Sequence, residues 1–198
     1  SKVTHFEGTA SEVAAIKAAI KVVPTAAVDI DGPISAADAA AIAKLSGALK
    51  ATIKDGSVAA TLKAIKDVVD TANDNLTFKT TDKTVKATDL VALNTLVTLD
   101  AISVTTVTGD AKDTADILLA LGIATNPEVK ISGIVAINDL SIGDILDGTN
   151  KKVTAKIAAG EASDLVTLLT NGTDDDALDV TVNGATAAAA DLATIDSK

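Results

Sequence analysis

The sequence contains no cysteine, methionine, tryptophan, tyrosine or arginine, and its 198 residues include two phenylalanines, three prolines and one histidine. Each absence removes a class of chemistry. Without cysteine there are no disulfides, thiolate metal sites or thiol catalysis, and either redox compartment is compatible with the chain. Without arginine the planar fork that grips phosphate is missing, and a net charge of −10 repels nucleic acid and anionic lipid. No apolar run reaches the roughly 18 residues that would suggest a span, so no membrane insertion is expected. The near absence of aromatic rings removes the platforms on which sugar recognition usually leans. His5 is the single histidine, and it reads as an ordinary strand residue because a histidine metal site or a Ser-His-Asp relay would rest on it alone. No GxSxG, GxGxxG or Walker segment occurs, so an enzyme is not expected.

What remains is 47% apolar and should fold. Ala, Val, Ile and Leu supply nearly all of that content, which suits thin, regular layers. With no signal peptide and no initiator Met, the chain reads as a soluble fragment or processed product.

The chain repeats itself. Displaced by about a hundred positions, "VDIDGPISAADAAAIAKL" (28–45) meets "VKISGIVAINDLSIGDIL" (129–146), with Gly32 on Gly133 and Asp38 on Asp139. "LKATIKDGSVAATLKAI" (49–65) meets "VTAKIAAGEASDLVTLL" (153–169), and "LTFKTTDKTVKATDLVAL" (76–93) meets "LDVTVNGATAAAADLATI" (178–195). Two tandem blocks are expected, 1–100 and 101–198. Each block divides again, giving about eight units of roughly 25 residues, a period typical of solenoids.

Within a unit the strand alternates, as in Leu76 and Phe78 against Thr77 and Lys79, so one face should be buried and one wet. A helix with an apolar stripe follows, as in Leu90, Leu93 and Leu96. Strand, crossover helix and strand place consecutive strands parallel. The expected fold is therefore α/β: a continuous solenoid of strand–helix units, with a parallel sheet on one side and a row of helices on the other. "VDIDGP" is read as a short strand and a turn. The end units carry no polar cap, which suggests a longer array or end-to-end stacking.

Asp38, Asp89, Asp139 and Asp191 fall in the first turns of their helices, where a carboxylate meets the positive helix end. The loops holding Asp74 and Asp174, Asp175, Asp176 occupy matching places in the two blocks and offer the hard oxygens calcium takes. Those four residues are the metal candidates, calcium being the candidate ion. A solvated acidic turn is the favoured competing reading, since the twelve-residue EF-hand spacing is absent. On the wet face, charges interrupt any flat threonine lattice, which argues against ice binding.

The stretches "ATDLVALNTL" and "LDAISVTTVTGDAKDTADILLAL" (87–121), together with "VDIDGPISAADAAAIAKL", resemble the Ala/Thr/Asp-rich repeats of large secreted bacterial surface proteins, S-layer-like and RTX-type adhesins and exoproteins. The resemblance implies an extracellular or cell-surface location and, in many relatives, calcium dependence, although the calcium nonapeptides are missing here. The expected function is a structural repeat segment of a surface-layer, filament or adhesin protein, acting in assembly or as a spacer. Its partners would be copies of itself or neighbouring repeats. A binding module that recognises a cell-surface polymer, as in a phage tail fibre on a virion surface, is the alternative.

Overall fold

A computed structural model describes residues 5–19, 26–44, 47–121, 127–139, 141–148, 152–173, 175–184 and 186–198. The protein is α/β, with parallel strands and eight helices among those residues. The first half contains β1 (His5–Gly8), α1 (Ala10–Ala19), β2 (Ala27–Ile34), α2 (Ala36–Ala43), β3 (Ala48–Gly56), α3 (Val58–Ile65), β4 (Asn75–Thr80), β5 (Thr84–Lys86), α4 (Ala87–Asn94) and β6 (Thr98–Asp100). The second half contains β7 (Thr106–Gly109), α5 (Ala111–Leu121), β8 (Glu128–Val135), α6 (Ser141–Gly148), β9 (Val153–Ile157), β10 (Gly160–Glu161), α7 (Ala162–Leu168), β11 (Ala177–Asp179), β12 (Val182–Asn183) and α8 (Ala189–Asp196).

The strands fall into two five-stranded sheets, ordered β1-β2-β3-β4-β6 and β5-β7-β8-β9-β11, with a separate β10-β12 pair. Every described pairing is parallel, and neither large sheet closes on itself. The compact units are correspondingly two, residues 1–82 with 92–101 and residues 83–91 with 102–198. They exchange a segment near the block boundary at residue 100. The cause is local: β5 joins the second sheet through β7, whereas β6, later in the chain, joins the first through β4.

Strand alternation sets the core of each unit. Leu49, Ala51 and Ile53 of β3 are buried while Lys50, Thr52 and Lys54 are exposed, and β4 repeats the pattern with Leu76, Phe78 and Thr80 inside. Val13, Ala39, Ile42, Val58 and Ile65 bring helical apolar positions into the interior of the first unit. In the second unit Val129, Ile142, Ile145, Val153, Ile157 and Leu165 form one buried cluster. Each such side chain contributes about 1.5–3 kcal/mol by leaving water.

One element differs from the expected strand and turn. β2 runs unbroken over eight residues and carries a bulge. Asp29 pairs with Lys50 and Pro33 with Thr52, so two additional residues are accommodated on β2. Gly32 takes φ 77° there, a conformation glycine adopts without a Cβ penalty. β8 does the same: Lys130 pairs with Thr154 and Ile134 with Lys156, and Gly133 takes φ 82°. The alternation is interrupted at both places, leaving Asp31, Gly32 and Pro33, and likewise Ser132, Gly133 and Ile134, exposed.

Candidate functional site

The acidic loops come first, because the metal candidates lie on them. The Asp74 carboxylate bridges two segments: Oδ1 accepts the Leu49 N–H at 2.7 Å and Oδ2 accepts the Asp70 N–H at 2.8 Å. Leu49 is on β3 and lies 25 residues back in the chain, so Asp74 fastens the loop before β4 to the neighbouring strand. Asp70 braces that loop, accepting from Asn73 Nδ2 at 2.7 Å and the Ala72 N–H at 3.0 Å. Those two bonds, the Asn73 amide first, hold the Asp70 carboxyl below its ordinary range.

Asp176 repeats the device in the second unit. Its Oδ1 accepts the Val153 N–H at 2.8 Å, and its Oδ2 accepts from the Thr173 N–H at 2.9 Å and the Thr173 hydroxyl at 3.2 Å. Asp175 is exposed on the same turn, and Asp174 lies outside the described residues. Among the described residues no three His, Cys, Asp or Glu side chains gather in a way that would hold a metal ion. Asp74 and Asp176 instead direct their charge at backbone donors, where a charge-assisted bond is worth about 1.5–3 kcal/mol.

The helix-start acids divide by position. Asp38 accepts from the Ser35 hydroxyl at 2.7 Å while its own N–H donates back to Ser35 Oγ at 3.0 Å, so the pair closes the first turn of α2. Thr9 and Glu12 form the same box on α1: Glu12 Oε2 accepts from the Thr9 hydroxyl at 2.7 Å and the Thr9 N–H at 2.9 Å. The hydroxyl bond, followed by the backbone one, lowers the Glu12 pKa. Asp89 and Asp191 lie in the first turns of α4 and α8. Asp139 does not, because α6 begins only at Ser141; its Oδ1 accepts the Ser141 N–H at 3.0 Å from just outside the helix.

A further carboxylate was not singled out from the sequence. Asp82 Oδ2 accepts the Val58 N–H at 2.9 Å, capping α3 from a segment 24 residues later in the chain. α3 lacks a cap from its own Ser57 side chain, which leaves this donor for Asp82. The signal available in the sequence was the "TTD" (80–82) at the end of β4, and only tertiary structure shows which helix it serves.

Each unit carries an exposed ion pair between neighbouring strands. Lys50 pairs with Asp29 at 3.9 Å across β2 and β3, and Lys156 with Asp179 at 3.2 Å across β9 and β11. In the first unit the Thr77 hydroxyl also donates to Thr52 Oγ at 3.1 Å, from β4 to β3. Exposed ion pairs of this kind contribute at most about 1 kcal/mol each. His5 is exposed on β1, as expected of an ordinary strand residue. Two open grooves of about 380 Å³ run beside helices, one lined by Ala10, Ala14, Asp38 and Ile42, the other by Ile137, Gly143, Asp164 and Leu168. Each groove also presents one hydroxyl beside its carboxylate, Ser11 in the first and Thr167 in the second. Among the described residues no helix is long and apolar enough to cross a membrane.

No family model, curated protein or solved structure matches the chain.

Proposed function

We propose that the chain is a structural repeat segment of an extracellular surface-layer, filament or adhesin protein, serving in assembly or as a spacer. The finer architecture belongs to the same proposal: a continuous solenoid of about eight strand–helix units, blocks 1–100 and 101–198, with helices along one side. The observation that carries it is the recurrent fastening of one loop to the preceding strand, Asp74 to Leu49 and Asp176 to Val153. Such links stabilise neighbour against neighbour, as an array requires, and consume carboxylates that a binding site would present. The hydrated, alternately charged face suits a surface that contacts little. Calcium remains a proposed ligand for the turn holding Asp175.

A polymer-binding module is the second reading, favoured by the two exposed bulges and by Ile134, which is 65% exposed at the tip of one. One experiment separates the two. The purified chain is assayed against a panel of surface polysaccharides and whole bacterial cells, then imaged by electron microscopy at high concentration with calcium and with chelator. Ordered rods or sheets without polymer binding support the structural reading. Saturable binding that is lost on neutralising Asp174, Asp175 and Asp176, or on removing Ile134, overturns it.

A further inference from the structure

The second unit contains both an interface in use and an unused copy of one of its halves. In use, β5 lies parallel to β7 with Thr84 facing Thr106, Val85 facing Val107 and Lys86 facing Thr108. Val85 and Val107 are buried, as are Ala87 and Leu90 beyond β5. The contact is tight where α4 begins: a Cβ on Gly109 would come within 2.8 Å of the Ala87 Cβ. Only glycine there lets β7 approach.

The sequence 186–195, "TAAAADLATI", follows the pattern of 84–93, "TVKATDLVAL", with Ala189 in place of Ala87, Leu192 in place of Leu90 and Ile195 in place of Leu93. Its surroundings are more open, although Ile195 packs partly buried against the core of the second unit. Residues 186–190 are exposed, Leu192 is 43% exposed, and α8 buries none of its residues.

The complementary half stands on β1. "HFEGTASEV" (5–13) follows "TVTGDAKDT" (106–114), with Phe6 in place of Val107, Gly8 in place of Gly109 and Val13 in place of Thr114. β7 pairs with β5 along one edge and β8 along the other. β1 pairs with β2 in the way β7 pairs with β8, and among the described residues its other edge, the one β7 gives to β5, has no partner.

We infer that a second copy of this chain fills the gap: β1 of one copy lies parallel to residues 186–188 of another. His5 then faces Thr186, Phe6 faces Ala187 and Glu7 faces Ala188, while Gly8 meets Ala189. The inference rests on the assembly half of the proposed function and specifies its partner, edge and register. Three features support it. The glycine–alanine pair that close approach demands recurs at both surfaces, Gly8 also taking φ 150° with Glu12 Oε2 3.1 Å from where its Cβ would stand. A large residue facing a small one, Phe6 and Ala187, replaces two of middle size, Val85 and Val107, so the pair still fills the space between strands. Strand addition at an edge also satisfies backbone donors and acceptors that otherwise face solvent.

The absence of cysteine makes the register directly testable. Glu7→Cys and Ala188→Cys are prepared separately, mixed and oxidised gently; neighbouring parallel strands bring Cα atoms to about 4.8 Å, within disulfide range. The expected result is a cross-linked pair in about tenfold excess over the off-register combination of Glu7→Cys with Ala187→Cys, whose side chains point to opposite faces. In sedimentation velocity the chain should grow with concentration, and Ala189→Leu, which is exposed in the single chain, should weaken that association about tenfold or more by overfilling the close contact. Equal cross-linking on and off register, or undiminished association of Ala189→Leu, overturns the inference while leaving assembly through another surface intact. A chain that stays monomeric at every concentration overturns it and leaves the spacer reading standing. Polymer binding would fail the structural reading without touching this register.

Discussion

Residues 78–82 in the first unit and 180–184 in the second begin from the same pattern and reach different states. In the first, Phe78 is buried at 2% exposure, the Thr80 hydroxyl donates to the Gly56 carbonyl at 3.2 Å, and Asp82 caps α3. In the second, Val180, Val182 and Gly184 stand at those positions; both valines are only partly buried, and Gly184 has φ 109° with the Glu161 carboxylate beside it. The strand pairing survives, Gly56 facing Thr80 in one and Gly160 facing Val182 in the other. A parallel ladder therefore tolerates loss of the side-chain fastening. What changes is how much each place contributes to stability.

The contrast can be broken most strongly at the aromatic ring. Phe78→Ala should cost about 3–5 kcal/mol in urea unfolding, and Val180→Ala, starting half-exposed, about 1 kcal/mol. Equal losses would show that burial does not separate the two segments. Next come the paired loop carboxylates: Asp74→Ala and Asp176→Ala should each cost about 2 kcal/mol without added calcium, and Asp175→Ala almost nothing. Destabilisation that appears only when calcium is present would assign these residues the role of ligands.

Asp82→Ala should cost about 1–2 kcal/mol through loss of the α3 cap. Gly184→Asp should not transplant that cap to α7, because the positive φ disfavours a side chain and the new Cβ would lie 2.7 Å from Glu161 Oε2. A smaller contrast lies in α1 and α5. Thr114 is fully buried and its hydroxyl has no hydrogen-bond partner among the described residues, whereas Val13 occupies the matching place in α1. Thr114→Val should stabilise by about 1 kcal/mol, and Val13→Thr should destabilise by a similar amount.

The smallest expected effect is on acid sensitivity. Glu12 and Asp70 have folded pKa values below the ordinary 4.5 and 3.8, so their contribution is present above those values and is lost as pH falls through the lower folded ones. Glu12→Gln should lower stability slightly at neutral pH and converge with the parent chain as pH falls through the lowered Glu12 pKa, so that the acid limb flattens. An unchanged acid limb would remove the Thr9–Glu12 box from the account.

The α/β class and the parallel strands were legible because period-two alternation and helical spacing are local signals; β3 and β4 follow them residue by residue. The sheet division was not legible, since β5 carries only three residues and nothing in "TVK" says which neighbour it will join. Gly32 and Gly133 were visible as a matched pair but resembled turn formers, because a bulge and a turn both call for positive φ. The acidic loops were found as a pattern, and their hydrogen bonds to backbone N–H groups emerged only once Leu49 and Val153 were brought alongside. Asp82 escaped for the same reason, serving a helix far from it in the chain.

The short reach of every strand pairing along the chain bears on the timing of folding. Each described ladder joins residues roughly twenty to twenty-five positions apart, as Ala27 meets His5 and Ala48 meets Ala27. No ladder must wait for a distant terminus to be synthesised, so loop closure stays short for a parallel sheet. Such a chain can acquire structure progressively as it emerges from a ribosome or a narrow export channel, each arriving segment using the one before it as a template.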